Sequence, residues 1–207
     1  VVDAADEEAG LGLRLELELA AGGLLRGRAT LTNAGEDPYQ LDGLALAFPV
    51  PAVADELLDF AGRWGYERVP QRRDFTVGTH LREGRHGRTG ADAAHQLCLG
   101  TRGFGHAGGA VWAVHTAWSG NHVHYAERTS GGVQVIGGGE LLLPGEVVLA
   151  PGESYASPWL FGSYGVGLDA VARRDRQARR KGHAEPGTVA LRRCRQGGQC
   201  SAVADLA

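Results

Sequence analysis

Residues 108–118, GGAVWAVHTAW, carry the alternation that decides the fold. In an extended chain Val111 and Ala113 point to one face, and Trp112 and Val114 point to the other. Both faces are largely apolar, whereas a strand at the surface of a sheet protein keeps one polar face. The stretch therefore predicts a strand enclosed within a two-layer β-sandwich.

The segments on either side repeat a strand pattern at short intervals. Residues 11–19 place a leucine at every second position with mainly charged side chains between them, as expected of a half-buried strand. Turn signals recur about every ten residues, among them Ser130-Gly131-Gly132 and Pro151-Gly152. Short strands separated by such turns are typical of an all-β sandwich or barrel.

Two regions depart from this pattern. Residues 55–92 are charged and punctuated by glycine, and we interpret them as extended loops with short strands. Residues 168–182 have helical spacing, with Leu168 and Val171 on one face and Gly182 as a stop signal. The expected fold class is thus all-β, a β-sandwich followed by one C-terminal connecting helix.

Composition narrows the possible functions. The chain has 207 residues, of which 43% are hydrophobic and 22% charged, and a net charge of -3, so neither nucleic acid nor a membrane is expected as a partner. The first residues lack the order of a secretion signal, which favours a cytoplasmic location. Cys98, Cys194 and Cys200 have no metal-binding spacing, and we expect no metal and no cofactor.

The stretch 115–122, HTAWSGNH, joins the enclosed strand to side chains that are common in sugar sites. Trp118 lies at the strand end beside Gly120 and Asn121, where an indole face and an amide could be presented together. Ser119 lacks the surroundings of a catalytic serine. The candidates for contact with a substrate or a neighbouring domain are Trp118, Ser119, Gly120, Asn121 and His122.

Two more candidates come from the loosely patterned region. Trp64 is one of the few large apolar surfaces of the chain. Arg88 belongs to the glycine-rich stretch REGRHGRTG, which suits the clamping of a carboxylate or of a neighbouring backbone. Residues 103–108 match a dinucleotide motif by letter, but they run into a strand instead of a helix, and we interpret them as a hairpin.

Four segments, taken in order, resemble a known family. They are LLDFAGRWGYERVPQRRDF, GRHGRTGAD, GTRGFGHAGGAVWAVHTAWSGNH and GGGELLLPGEVVLAPGESYASPWLFGSYGVGLDAV. Together they resemble the N-terminal region of family 36 glycoside hydrolases, the α-galactosidases, from about residue 11 to about residue 181. The most specific parts are GRWGYER, the WSGNH turn, and PGESYASPW with the helix that follows.

The resemblance implies a fold and a role. The fold would be a supersandwich, similar to that of galactose mutarotase, over residues 1–167, with a connecting helix at 168–182. The family uses a retaining mechanism on α-galactosides, with two catalytic aspartates in a (β/α)8 barrel. No residue of this chain matches them, so no catalytic residue is assigned, and Asp59, Asp74 and Asp92 are not substitutes.

The expected function is that of a non-catalytic N-terminal domain of a retaining α-galactosidase that hydrolyses terminal α-galactosides in oligosaccharides. The domain would support the catalytic barrel and its substrate pocket and would be inactive alone. Its partners would be that barrel, galactosides through it, and further copies in a homo-oligomer. The alternatives are a free-standing carbohydrate-binding module, and a mutarotase-like epimerase that pairs His115, His122 or His124 with Glu127 or Glu140.

Three features depart from the family pattern. Ala91 stands where the family's loop usually has a histidine. The family domain is longer at its start. Residues 183–207 do not lead toward a barrel, and we interpret them as an irregular tail that follows a truncation or a change of reading frame near Gly182.

Overall fold

The computed structural model describes the backbone of residues 1–88, 90–91, 96–182, 193–195 and 199–201, and side chains as far as residue 177 within those ranges. The only helix of these residues, α1, spans Leu168–Gly182. The strands before it are β1 Val2–Asp6, β2 Leu11–Leu19, β3 Leu24–Asn33, β4 Tyr39–Gln40, β5 Leu46–Pro49, β6 Glu56–Arg63, β7 Tyr66–Asp74, β8 Gly78–Gly84, β9 Gln96–Gly100, β10 Ala110–Thr116, β11 His122–Arg128, β12 Gln134–Glu140, β13 Val148–Leu149, β14 Ser154–Ala156 and β15 Leu160–Val166. Two short strands, β16 Arg193–Arg195 and β17 Gln199–Ser201, pair with each other, and the other residues of 183–207 lie outside the described ranges.

Two antiparallel sheets form a sandwich. The larger sheet has the order β1-β2-β3-β15-β10-β9-β6-β7, with β14 also paired to β3, and the smaller sheet has the order β5-β12-β11-β8. The stretch that decides the fold is β10, which lies between β15 and β9 in the larger sheet. The all-β sandwich with one helix that the sequence predicts is confirmed.

The apolar character of both faces of β10 has two causes. On one face, Val114 packs with Leu99 and Ile136 in the main core between the sheets. On the other face, Val111 and Ala113 pack with Val171 of α1. The helix therefore covers the outer face of the larger sheet, and β10 is enclosed between the second sheet and α1.

Residues 55–92 contain longer strands than the sequence indicates. Strands β6, β7 and β8 occupy most of this region, so the prediction of extended loops was wrong. Strand β7 is at the edge of the larger sheet and is exposed along most of its length. Both faces of this edge strand are near water, so neither face needs apolar side chains. The stretch YERVPQRRD therefore lacks the apolar–polar alternation that would predict a strand.

The chain crosses between the two sheets at the stretch HTAWSGNH. Strand β10 belongs to the larger sheet and ends at Thr116, whereas β11 belongs to the smaller sheet and begins at His122. Residues 117–121 connect them. The stretch is therefore a corner between the two sheets, and the strands at its two ends, one from each sheet, fix the position of its side chains.

Candidate functional site

Strand registers bring three connections to one end of the sandwich. In the larger sheet, antiparallel pairing places the end of β6, the start of β9 and the end of β10 side by side. In the smaller sheet, Gly84 at the end of β8 lies opposite His122 at the start of β11. The β6–β7 hairpin, the segment after β8 and the β10–β11 corner therefore lie together. We call this region the loop end and define it as residues 62–66, 85–88, 90–91 and 117–121.

The corner at residues 117–121 is fixed by its backbone and by one glycine. The N–H of Ala117 donates to the carbonyl of Trp159 at 2.8 Å, and the N–H of Leu141 donates to the carbonyl of Asn121 at 3.0 Å. Trp118 is half-buried, and its Nε1 is enclosed. A Cβ on Gly120 would lie 2.7 Å from that nitrogen, so only glycine lets the indole of Trp118 fold against the corner.

The side chain of Asn121 links the corner to the segment after β8. Its Oδ1 accepts the N–H of Gly87 at 2.8 Å. Gly87 has a φ of +68°, a left-handed conformation that glycine adopts without steric cost. We call residues 85–88 the arginine loop. The sequence predicts that Asn121 contacts a substrate or a neighbouring domain, whereas in the structure its Oδ1 binds this loop.

Arg88 is the exposed cation at the end of the arginine loop. The neighbouring Arg85 forms an ion pair with Glu83 at 2.7 Å. No ion pair joins Arg88 to any residue that the structure describes. A guanidinium in this position can bind a partner's carboxylate through two parallel hydrogen bonds, or donate a single hydrogen bond to a hydroxyl oxygen.

Trp64 lies at the tip of the β6–β7 hairpin and is 92% exposed. The hairpin turns at Gly65, whose φ is +76° and whose N–H donates to Glu67 Oε1 at 2.9 Å. A Cβ on Gly62 would come within 3.0 Å of the carbonyl oxygen of Ala91, so glycine is needed where the hairpin meets residues 90–91. The hairpin that carries Trp64 thus lies against the chain that follows the arginine loop.

His122 and His124 lie inside the molecule, each 1% exposed. His122 Nδ1 donates to the carbonyl of Gly120 at 3.3 Å, and His124 Nε2 lies 3.0 Å from the hydroxyl of Thr116. The ring of His122 covers Gly84, where a Cβ would lie 2.5 Å from its Cε1. His122 is therefore an internal support of β8, which differs from the surface contact expected from the sequence.

Of the acid–base pairs in the epimerase hypothesis, the strand register brings together the fully buried His122 with Glu140, and the two lie opposite each other on β11 and β12. Alternation along β11 places Glu127 on the opposite face from the buried His122 and His124. The carboxylate of Glu140 accepts a hydrogen bond from the hydroxyl of Tyr155. This arrangement does not favour epimerase chemistry at these positions.

A buried carboxylate that sequence reasoning left without a role joins the two sheets near the loop end. Asp59 of β6 is 2% exposed, and its Oδ2 accepts hydrogen bonds from His80 at 2.9 Å and from Arg82 at 2.6 Å, both on β8. Burial alone would raise the pKa of the Asp59 carboxyl, but the hydrogen bonds from His80 and Arg82 outweigh it and hold the pKa below its usual value. Enclosed and neutralised in this way, Asp59 has a structural role.

Two further groups that could be reactive are also engaged, Cys98 by burial and Asp74 by an ion pair. Burial raises the pKa of the Cys98 thiol to about 12, so it stays protonated and unreactive. Asp74 forms an ion pair with Arg102 at 2.8 Å on the surface, and Asp92 lies outside the described residues.

The described residues contain no group of three His, Cys, Asp or Glu side chains placed to hold a metal ion. Within the same ranges, no helix is long and apolar enough to cross a bilayer.

This architecture defines an all-β sandwich domain with a helix on its larger sheet, in which Trp64 and Arg88 are exposed at the loop end. The family model of the glycosyl hydrolase family 36 N-terminal domain matches residues 1–150. The chain belongs to this family, and the resemblance drawn from the sequence is confirmed.

Individual relatives agree with that assignment. An α-galactosidase of Escherichia coli is 36% identical over 170 residues, which are 82% of this chain and 24% of that enzyme. The solved structure of a family 36 α-galactosidase from Geobacillus stearothermophilus with 1-deoxygalactonojirimycin has a TM-score of 0.73 at 22% identity, covering 83% of this chain and 24% of that one. The α-galactosidase from Lactobacillus brevis has a TM-score of 0.73 at 21% identity, covering 80% and 23%. The chain thus spans 23–24% of the length of these relatives.

Proposed function

We propose that this chain serves a retaining α-galactosidase as its non-catalytic N-terminal domain, and that the loop end contacts the catalytic (β/α)8 barrel near its substrate pocket. The observation that carries the proposal is Trp64, whose indole is 92% exposed on a tight hairpin. A large aromatic group exposed on a tight hairpin is a typical anchor of an interface. The galactosides that the whole enzyme hydrolyses would bind near that interface.

The seven candidate residues divide by placement. Trp64, Arg88 and Ser119 are exposed and would make direct contacts, with the outer part of the half-buried Trp118 beside them. The remaining three, Gly120, Asn121 and His122, hold the corner and the arginine loop in position. Residues 1–167 would form the sandwich domain, and α1 would connect it to the barrel.

Two expectations from the sequence stay predictions. One is a cytoplasmic location, which fractionation of the source cells would test. The other is a homo-oligomer, for which the exposed leucines of β2 give a physical reason: Leu13, Leu17 and Leu19 are 37%, 48% and 72% exposed in one apolar row. Sedimentation of the purified chain should show species larger than a monomer, and a purely monomeric sample would contradict it.

A domain exchange tests the proposed function. The matching segment of the E. coli α-galactosidase is replaced by the aligned segment of this chain, and hydrolysis of a chromogenic α-galactoside is measured. We expect turnover by the chimera and none by this chain alone. Trp64→Ala in the chimera should raise KM about tenfold, since loss of an anchoring aromatic at an interface costs on the order of 1–2 kcal/mol.

The matched control is Leu19→Ala, which removes another exposed apolar side chain, 72% exposed, from β2. Strand β2 lies near one edge of the larger sheet and the Trp64 hairpin at the other edge. The control should leave KM within about twofold of the parent chimera. Hydrolysis by the isolated chain, or a Trp64→Ala chimera that matches its parent, would contradict the proposal.

A further inference from the structure

We propose that Asn121 is a positioning residue that holds the arginine loop in one conformation and thereby sets the direction in which Arg88 meets an acceptor oxygen of the catalytic domain. The inference rests on the proposed function, because it names the residue that shapes the proposed contact surface. It changes the role of Asn121 from a contact residue to a support.

The arginine loop needs an external support. Its residues are exposed along 85–88, so little apolar burial holds them. The ion pair between Arg85 and Glu83 is open to water, with the arginine side chain 57% exposed, and such pairs restrain a chain weakly. The hydrogen bond from Gly87 N–H to Asn121 Oδ1 ties this exposed backbone to the sandwich.

Asn121 is itself firmly placed. Its carbonyl accepts the N–H of Leu141 at 3.0 Å, and the next residue, His122, pairs with both Gly84 and Glu140 in the smaller sheet. The acceptor oxygen is therefore carried by the first position before a strand that is paired on both sides. A support of this kind transmits the geometry of the sheet to whatever it binds.

Arg88 follows directly after the supported residue. The root of the loop is fixed where Gly84 lies under the His122 ring, and the middle is fixed at Gly87. Beyond Arg88, Ala91 rests against the hairpin at Gly62. Arg88 is therefore held between two fixed points, beside the hairpin that carries Trp64, and a small change at Gly87 would redirect its guanidinium.

The test uses the full chain and measures opening of the loop. Trypsin cleavage after Arg85 and Arg88 is followed by mass spectrometry, together with amide hydrogen exchange of a peptide that contains Gly87. In Asn121→Ala we expect cleavage and exchange about fivefold faster, as loss of one hydrogen bond predicts when cleavage follows the open population. Asn121→Asp keeps an acceptor oxygen and should stay within about twofold of the parent.

Controls separate positioning from general destabilisation. Gln40→Ala removes a surface amide that binds Asp42 and should leave cleavage after Arg88 unchanged. Exchange of the β11 and β12 amides serves as an internal reference. The positioning role is overturned if hydrogen exchange of these amides accelerates together with that of Gly87. It is also overturned if Asn121→Asp opens the loop as much as Asn121→Ala. Unchanged cleavage and exchange in Asn121→Ala overturns it as well.

Failure of the proposed function would be seen separately. Loop opening is measured on the isolated chain and requires no catalysis. If the chimera is inactive but Asn121→Ala opens the loop as expected, the proposed function is contradicted. The role of Asn121 in supporting the loop then still stands.

Discussion

Replacing Asp59 with asparagine is expected to lower the free energy of unfolding by about 3 kcal/mol near pH 7. The Asp59 side chain is 2% exposed and accepts hydrogen bonds from His80 at 2.9 Å and from Arg82 at 2.6 Å, with the guanidinium of Arg73 3.9 Å away. Asparagine keeps the size of the side chain but removes the negative charge, so Arg82 loses its counter-ion in a partly enclosed place. We expect less than the largest losses known for buried pairs because the Arg82 side chain is still 27% exposed and water can solvate it.

Urea denaturation of the parent and of Asp59→Asn measures this difference. The matched control is Asp3→Asn, which breaks an aspartate–arginine pair whose partners, Arg14 and Asp3, are 60% and 64% exposed. That surface pair should contribute about 0–1 kcal/mol. Equal losses in the two variants would show that burial of Asp59 does not decide its contribution.

The pH dependence of stability provides a second, independent test of the contribution of Asp59. The folded state holds the pKa of the Asp59 carboxyl below its unfolded value, so the unfolded state binds more protons, and stability rises with pH. The contribution is fully present above the unfolded pKa of about 3.9 and is lost as the pH falls through the lower folded pKa. The difference between parent and Asp59→Asn should therefore shrink on acidification below about pH 4. A difference that grows in acid would contradict the assignment.

The fold could be predicted from the sequence where the signal is local. The two apolar faces of β10 and the turn at Ser130-Gly131-Gly132 depend on neighbouring residues, and both predictions agree with the structure. The strands β6 to β8 could not be predicted in the same way. Edge strand β7 is polar all round, and β6 has its buried side chains placed by partners that come much later in the chain.

The site shows the same limit. The candidates at 118–122 lie together because they are consecutive, and sequence reasoning found them for that reason. Three contacts depend on strand register: the hydrogen bond from Gly87 to Asn121, the contact between Gly62 and Ala91, and the salt bridge between Asp59 and Arg82. Each of these contacts joins residues more than twenty positions apart, and the periodicity of apolar residues in the sequence does not predict such pairs. The burial of His122 was missed because a strand pattern does not show which face another sheet covers.

Replacing Gly84 with alanine is expected to cost about 3 kcal/mol of stability, a large effect for one methyl group. The new Cβ would lie 2.5 Å from Cε1 and 2.9 Å from Nδ1 of His122. The ring cannot move outward easily because His122 is 1% exposed. The backbone cannot move away either, since Gly84 and His122 are register partners in the pairing of β8 with β11. Overpacking of this kind forces side chains from their rotamers or separates the strands.

The control is Gly12→Ala, another strand glycine, whose added Cβ would meet only the Cβ of Thr32, at 3.8 Å. That substitution should change stability by less than about 1 kcal/mol, and the sign should be favourable because alanine restricts the unfolded chain. Thermal or urea unfolding of both variants measures the contrast. A Gly84→Ala protein as stable as Gly12→Ala would mean that His122 does not lie over Gly84.

A double-mutant cycle identifies the collision itself. In a His122→Ala background the imidazole is gone, and the new methyl group of Gly84→Ala has space, so its cost should fall to less than about 1 kcal/mol. A cost that stays near its original value would trace the effect to the backbone of β8 and not to the ring. Because β8 leads directly into the arginine loop, the single variant Gly84→Ala should also speed trypsin cleavage after Arg88, and the double variant should reverse that change. Recovery of both stability and loop protection would show that the buried imidazole, which the sequence suggested as a contact group, acts by fixing the strand from which the loop begins.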